Sequence, residues 1–170
     1  MSDPTGGAKS ADRFLIGIVL GMLLLVGVAF AVVLWRPQPA YQADGTPESA
    51  VHNYLLALRQ QDDARAYRYL SPTLAGYPRT VEAFAADVRN EIWDLRSDRS
   101  SVALAVVETQ RVGEEAWVTV EETWFDSDGL FARGASSNTF DLRLRQSDAV
   151  WLIVEAGRYW ALCWERAGGC

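Results

Sequence analysis

A run of apolar residues near the N-terminus constrains this chain more than any other feature. Residues 14–35, FLIGIVLGMLLLVGVAFAVVLW, contain no charged or strongly polar side chain. A helix rises about 1.5 Å per residue, so such a run is long enough to cross a hydrocarbon core of about 30 Å. A cleaved signal peptide is the rival interpretation, because Ala29-Phe30-Ala31 has the form of a cleavage site. We favour an uncleaved anchor, since the apolar run continues past that site.

The charges that flank this run predict its orientation. Lys9 and Arg13 precede it, whereas only Arg36 lies close behind it. Positive charge is retained inside the cell, so we expect the N-terminus inside and the C-terminal part outside a bacterial plasma membrane. The formal net charge of the whole chain is −6. Nucleic-acid binding needs a basic surface, so we expect no nucleic-acid partner, and membrane lipid is expected to contact residues 14–35 only.

The sequence divides into four segments. Residues 1–13 are small and polar and predict a disordered cytoplasmic tail. They are followed by the transmembrane helix at 14–35 and by a proline-containing linker at 36–45. Residues 46–170 then remain for a single extracytoplasmic domain.

The first half of this domain has helical periodicity. Thr46 is a candidate N-cap, with Pro47 at the first helical position and Glu48 in the first turn. A second short helix is predicted from Asp62, and a third over residues 80–93. The side chains predicted to face the core are Val51, Tyr54, Leu55 and Leu58, then Ala66, Tyr67 and Leu70, then Val81, Phe84, Val88 and Ile92.

After residue 93, apolar residues recur at every second position instead of every third or fourth, which is typical of strands. Strands are predicted at 102–110, 116–125, 138–146 and 149–156, and residues 158–164 could extend or pair with the last. Helices followed by antiparallel strands indicate an α+β domain, with about three helices packed on an antiparallel sheet.

Three stretches of residues 46–160 form a family pattern: the helix-turn ALRQQDDARAYRYLSP, the helix TVEAFAADV, and a turn followed by a Trp-x-Ile strand within FDLRLRQSDAVWLIVEAG. In these stretches the sequence resembles the NTF2-like superfamily, and in particular its small exported bacterial members of unknown function with an N-terminal membrane anchor. The resemblance implies a cone-shaped domain whose curved sheet wraps over the helices, often around a pocket. Members with one N-terminal span include scaffold components of bacterial secretion and transport machines, and other members are ketosteroid-isomerase-like enzymes.

The only two cysteines, Cys163 and Cys170, are predicted to form a disulfide. An exported domain allows oxidation, and Gly168-Gly169 lets the intervening chain turn back. Two sulfurs without a further cysteine or a nearby histidine are too few for a zinc site, so we expect no metal and no cofactor.

The surplus of tryptophan suggests a role in binding. Strands 116–125 and 149–156 carry apolar residues on both faces, and this surface needs a cover. Either the C-terminal segment covers it, or a protein partner or second copy does. The candidate interface residues are Trp117, Trp124, Trp151, Trp160 and Trp164.

No set of residues demands catalysis. His52 has no evident orienting partner, and the residues that match an isomerase by type are Tyr54, Tyr67, Tyr69 and Asp87. We interpret the tyrosines as core and Asp87 as a solvated charge. Asp126-Ser127-Asp128-Gly129, near Glu121 and Glu122, resembles the start of a calcium loop but lacks the later ligands.

The sequence therefore favours a membrane-anchored scaffold or accessory subunit rather than an enzyme. A domain with a small-molecule or lipid pocket is the first alternative. A cryptic isomerase or hydrolase is the second.

Overall fold

The computed structural model describes residues 8–34, 39–92, 95, 102–125 and 134–170, and the chain forms two compact units, Met1–Pro39 and Ala40–Cys170. The first unit contains helix α1, Ala8–Leu34, and the side chains of residues 15–31 are exposed. Counting only the residues described, no helix combines the length and the apolar character that a membrane crossing needs. The transmembrane part of the predicted fold is therefore not supported by the structure.

The second unit packs helices on one face of an antiparallel sheet, which confirms the predicted α+β class. Its helices are α2 (Pro47–Arg59), α3 (Asp63–Tyr67) and α4 (Val81–Val88). Its strands are β1 (Val102–Val112), β2 (Glu115–Phe125), β3 (Ala135–Ser147) and β4 (Val150–Ala156), in the spatial order β1-β2-β3-β4. A short 3-10 helix, Leu162–Glu165, follows.

A side chain just before each of these helices caps its N-terminal end. Thr46 caps α2 by accepting a hydrogen bond from the Ser49 amide at 3.2 Å, and the Ser49 hydroxyl accepts one from the Thr46 amide. Asp62 caps α3 and Thr80 caps α4 in the same way. Such caps satisfy amides that the first helical turn leaves unpaired, which explains why the predicted starts are correct to within a residue.

The fourth helix is shorter than predicted. It ends at Val88, and residues 89–92 form turns instead of continuing the helix towards residue 93. Phe84, Val88 and Ile92 are nevertheless all fully buried. These three residues of the predicted apolar face are therefore buried even though the helix ends early.

The strands place alternate residues on opposite faces of the sheet. In β2, Ala116, Val118 and Val120 are fully buried, and the intervening side chains are more exposed. The buried residues Phe140, Leu142 and Leu144 of β3 pair with them across the ladder. We call the helix-covered side of the sheet the inner face and the opposite side the outer face.

Two irregularities interrupt the register of the sheet, and the second explains why β4 seemed apolar on both sides. The β1–β2 register slips between Val106 and Glu108, and the β3–β4 register slips between Arg143 and Leu144. The second slip leaves Val154 as the extra residue of β4, and both Ile153 and Val154 are buried. Bulges of this kind bend a strand and increase its twist, so they curve the sheet around the helices.

The free edge of β4 is covered from the helical side of the domain. The Ile153 amide donates to the Tyr69 carbonyl at 2.7 Å, and the Ser71 amide donates to the Ile153 carbonyl at 3.0 Å. This bridge occupies the position in which residues 158–164 could have paired with β4. These residues instead turn away at Tyr159, whose φ is 58°, and end in the 3-10 helix.

The predicted disulfide is present. Cys163 and Cys170 are joined, with their Cα atoms 5.1 Å apart. The loop that they close packs against Gly76, whose amide donates to the Trp164 carbonyl at 2.8 Å. A side chain at position 76 would collide with the carbonyl oxygens of Cys163 and Arg166.

We predict that Gly76→Ala destabilises the domain by about 1–3 kcal/mol, because an added methyl group has no room against backbone atoms. Gly168→Ala is the matched control, since a side chain there meets open space, and it should cost less than about 0.5 kcal/mol. Urea denaturation of fragment 40–170 measures both. Equal stability of the two variants would contradict the observed packing of the C-terminal loop.

Candidate functional site

Trp117 stands on the outer face of the sheet. It alternates with the buried residues Ala116 and Val118, and 38 % of its surface is exposed. Its partners across the two neighbouring strands are Gln110 and Arg143. The sequence pattern correctly predicts this placement.

Polar pairs surround Trp117 on the outer face. The Arg143 Nε lies 3.1 Å from the Glu155 Oε2, and the Arg145 Nη2 lies 2.9 Å from the Glu115 Oε1. Thr119 donates to the Asp141 carboxylate at 2.7 Å. Exposed pairs of this kind add little stability. They surround one aromatic side chain with charges of both signs, and such an arrangement is suited to recognising another protein surface.

Three of the five candidate interface tryptophans are not available to a partner. Trp151, Trp160 and Trp164 are buried inside the domain, with at most 3 % of their surface exposed. Trp124 is half-buried, two residues beyond the inward-facing Glu122. Alternation along β4 and the turn after it direct the rings of Trp151, Trp160 and Trp164 inward, so Trp117 is the exposed residue among the five candidates.

The C-terminal segment carries its two tryptophans to the inner side of the domain. Trp164 stacks on Phe84 of α4, with 5.3 Å between ring centroids, and packs edge-on against Trp160 at 4.8 Å. The Trp164 Nε1 donates to the Asp87 carboxylate at 2.8 Å. Asp87 is therefore a hydrogen-bond acceptor for the core, which corrects its interpretation as a solvated charge.

Glu122 is the main residue that the sequence analysis missed. It lies on the inner face of β2 and is completely buried. The Arg158 Nη1 lies 2.7 Å from its Oε2, and the Tyr159 hydroxyl donates to its Oε1. A buried charge is costly unless it is paired and hydrogen-bonded, and here both carboxylate oxygens are engaged.

Tyr54 completes this buried cluster. Its hydroxyl donates to the Tyr159 carbonyl at 2.7 Å, and burial raises the pKa of Tyr54 far above its ordinary value. Tyr159 is thus held at both its side chain and its backbone. This double restraint keeps a non-glycine residue in the left-handed region, which costs about 1–2 kcal/mol.

The alternation of side chains along the strand could have identified Glu122. Side chains two residues apart in a strand lie on the same face, so if Val118 and Val120 point into the core, Glu122 must point there too. A buried acid then requires donors from elsewhere in the chain. In the sequence, Glu122 stood out only as a neighbour of the calcium-like stretch at residues 126–129.

The other candidate residues have structural partners. The His52 Nε2 lies 3.1 Å from the Ala40 carbonyl. Tyr67 donates to the Pro78 carbonyl at 2.8 Å, and Tyr69 donates to the Asp44 carboxylate at 2.8 Å. Burial, followed by the Asp44 bond, raises the pKa of Tyr69.

The calcium-like stretch, residues 126–129, lies outside the described residues. Within the part of the chain that is described, no group of three or more histidine, cysteine, aspartate or glutamate side chains could hold a metal ion.

Comparisons with known proteins give a likeness of fold. No protein-family model matches the sequence, and no curated protein matches it. One similar solved structure is a SEC-C motif containing protein from Rhodopseudomonas palustris, with 15% identity, a TM-score of 0.48, and coverage of 69% of this chain and 81% of that one.

Two further structures have related descriptions. An NTF2-like protein of unknown function from Shewanella oneidensis has 11% identity and a TM-score of 0.42, over 63% of this chain and 90% of that one. A ketosteroid isomerase from Mycobacterium has 14% identity and a TM-score of 0.38, over 66% of this chain and 90% of that one. The similar structures thus include an NTF2-like protein and an enzyme, and at these values they assign no activity to this chain.

We predict that Glu122→Ala destabilises the domain by about 3 kcal/mol or more, because it leaves a cavity and removes the acceptor of the buried Tyr159 hydroxyl. Glu122→Gln keeps an acceptor and should cost less. Glu121→Ala, one residue away on the opposite face, is the control and should cost less than about 1 kcal/mol. Urea denaturation of fragment 40–170 provides the measurement. A silent Glu122→Ala would contradict the role of this carboxylate in holding the C-terminal segment.

Proposed function

We propose that this chain is a membrane-anchored, extracytoplasmic domain of the NTF2-like superfamily that acts as a scaffold or accessory subunit in a bacterial membrane assembly. It binds a protein partner through the outer face of its sheet. The observation that carries the proposal is the contrast between an interior filled by the chain's own aromatic side chains and an exposed Trp117 on the opposite face.

The filled interior argues for a role at the surface. The space between helices and sheet holds large, fully buried side chains, namely Tyr54, Phe84, Trp151, Tyr159 and Trp164. A ligand bound there would have to displace rings that already stack and hydrogen-bond with one another. Close-packed interiors resist such displacement, because each lost contact and each new void costs free energy.

The outer face has the composition of a contact surface. Tryptophan and arginine are enriched among the residues that dominate binding energy at protein interfaces. Here Trp117 lies directly across from Arg143, which itself pairs with Glu155. A partner that covers Trp117 would also shield these charges from water and so gain specificity from their pattern.

The anchor is supported by the sequence. Residues 14–35 carry no charge, and α1 leaves large apolar side chains such as Leu24 and Phe30 exposed. Apolar surface on this scale requires lipid or protein around it. Lys9 and Arg13 precede the run, and this charge bias supports a location of the domain at 46–170 outside the plasma membrane.

An isomerase or hydrolase is the second candidate function, and one observation favours it. Glu122 is a buried carboxylate beside the Tyr159 hydroxyl, a pairing that can move protons. Both oxygens of Glu122 are already engaged, by Tyr159 and by Arg158. To act as a base, Glu122 would first have to lose its interactions with Tyr159 and Arg158. The scaffold function is therefore better supported.

We predict that Trp117→Ala weakens partner binding by about 2 kcal/mol or more, roughly thirtyfold, and costs the fold less than about 1 kcal/mol. Val107→Ala, which truncates another exposed apolar side chain of the sheet, is the matched control. A photo-crosslinking amino acid at position 117 should capture the partner in native membranes, whereas the same group at position 107 should not. Equal capture at both positions would refute the assignment of the outer face.

The crosslinked product also distinguishes the kinds of partner. A product of twice the chain mass indicates self-association through the sheet. Sedimentation of fragment 40–170 should then give a dimer that Trp117→Ala dissociates. A product of another mass indicates a different protein, and the fragment should then sediment as a monomer.

The topology gives a separate prediction. Protease added to intact spheroplasts should digest the domain at 46–170 and leave an epitope placed within residues 1–13 protected, because the charge bias keeps that end inside. Lysed spheroplasts are the control, since both parts should be digested there. Recovery of a mature protein that begins near Val32, free in the medium, would refute the anchor.

A further inference from the structure

A cleft opens beside Trp117, between the outer face of the sheet and the chain that follows β4. Its volume is about 690 Å³, within the range for binding sites. Trp117 lines it from β2, and Thr139, Asp141 and Arg143 line it from β3. The segment after β4 contributes Leu162, from the 3-10 helix. The cleft therefore adds concave surface to the face that is proposed to bind the partner.

Two exposed apolar side chains lie in this cleft. Trp117 is 38 % exposed, and Leu162 is 64 % exposed. Among the described residues, each arginine that lies over an aromatic ring does so at a ring other than that of Trp117. The face of an indole attracts a cation. The exposed part of the Trp117 ring can therefore accept a cation from outside the chain.

The charged side chains of the cleft have an acidic excess. They are three carboxylates and two arginines: Asp141, Glu155, Glu165, Arg143 and Arg158. The Arg143 Nε lies 3.1 Å from the Glu155 Oε2, and the Arg158 Nη1 lies 2.7 Å from the Oε2 of the buried Glu122. Each arginine is thus balanced by one acid. With Glu122 included, four acids face two arginines, and the formal charge is −2.

The two carboxylates without an ion pair among the described residues keep their negative charge, because they accept hydrogen bonds from uncharged donors. Asp141 accepts from the Thr119 hydroxyl at 2.7 Å, and Glu165 accepts from the Trp160 Nε1 at 3.0 Å. Asp141 is paired with Thr119 in the β2–β3 ladder, so it is a diagonal neighbour of Trp117 on the same face. An exposed ring and an uncompensated carboxylate therefore lie side by side.

We propose that this cleft receives an arginine side chain of the protein partner. The guanidinium lies on the Trp117 ring and pairs with Asp141, Glu165 strengthens the attraction, and the methylene stem lies against Leu162. Arginine fits better than lysine, because a planar guanidinium both stacks on a ring and bonds a carboxylate through two parallel N–H groups. This inference rests on the proposed function, since it names the chemistry of the partner at the same surface.

The first test is a titration of the full-length chain in detergent micelles, followed by the indole N–H signals in a proton–nitrogen NMR spectrum. The probes are the N-acetyl amides of arginine, lysine and citrulline. Citrulline replaces the guanidinium by an uncharged group of nearly the same shape. We expect the arginine probe to bind with a dissociation constant on the order of 1 mM. The lysine probe should bind about threefold more weakly, and the citrulline probe more than tenfold more weakly.

Variants locate the probe in the cleft. The Trp117 indole signal, identified by its loss in Trp117→Leu, should shift on titration, and the signal of the buried Trp164 should not. Trp117→Leu and Asp141→Asn should each weaken binding of the arginine probe about fivefold. Glu108→Gln is the matched control and should weaken it less than twofold, because Glu108 is an exposed acid of the sheet that does not line the cleft.

Three results of the titration would overturn the inference. The first is equal binding of the citrulline and arginine probes. The second is an unshifted Trp117 signal at the highest concentration of the arginine probe. The third is equal weakening by Asp141→Asn and Glu108→Gln. Both of these variants change exposed side chains, so their melting temperatures should match that of the unchanged chain.

Capture of the partner separates this inference from the function on which it rests. A photo-crosslinking amino acid at position 139, in the lining of the cleft, leaves Trp117 in place. It should capture the same partner as the group at position 117, and Asp141→Arg should reduce this capture at least tenfold by repelling the incoming cation. Capture that Asp141→Arg leaves unchanged would overturn the arginine and keep the partner surface. Absence of capture at both positions would overturn the proposed function and this inference with it.

Discussion

The buried contact between the Glu122 carboxylate and the Tyr159 hydroxyl is the interaction on which the rest of the domain depends. It joins the inner face of β2 to a segment that has already left the sheet. Tyr159 holds a left-handed conformation there, and Tyr54 fixes its carbonyl from α2. The direction of the chain after β4 is therefore set by one acid and two tyrosines, and this direction sends Trp160 and Trp164 under the helices.

This arrangement decides which parts of the domain are available for binding. The rings of Trp160 and Trp164 occupy the space beneath the sheet that a cone-shaped fold could otherwise leave open. What remains accessible lies outside that core, at Trp117 on the outer face. This residue suits recognition, because it is an exposed aromatic ring among exposed polar and charged side chains.

Much of the fold follows from local sequence rules, whereas the candidate site does not. Thr46 and Pro47 mark a helix start through a cap that involves only adjacent residues, and strand alternation places Trp117 outside. The bulge at Val154 and the turn at Tyr159 depend on pairing and packing with distant residues, which no local pattern encodes. The inward direction of Trp151 was obscured by the same bulge, because it shifts the parity of β4.

The tryptophans illustrate why residue type alone is a poor guide to an interface. Trp117 and Trp164 are equally apolar, yet Trp164 has an acceptor in Asp87 and is buried, and Trp117 alternates with core residues and stays outside. An indole can be buried at low cost only where an acceptor for its N–H is provided. Trp151 is the case between these two, since it is buried while its donor is unmet. The face of the strand on which a residue lies and the path of the chain, more than the count of aromatic rings, therefore separate core from contact surface.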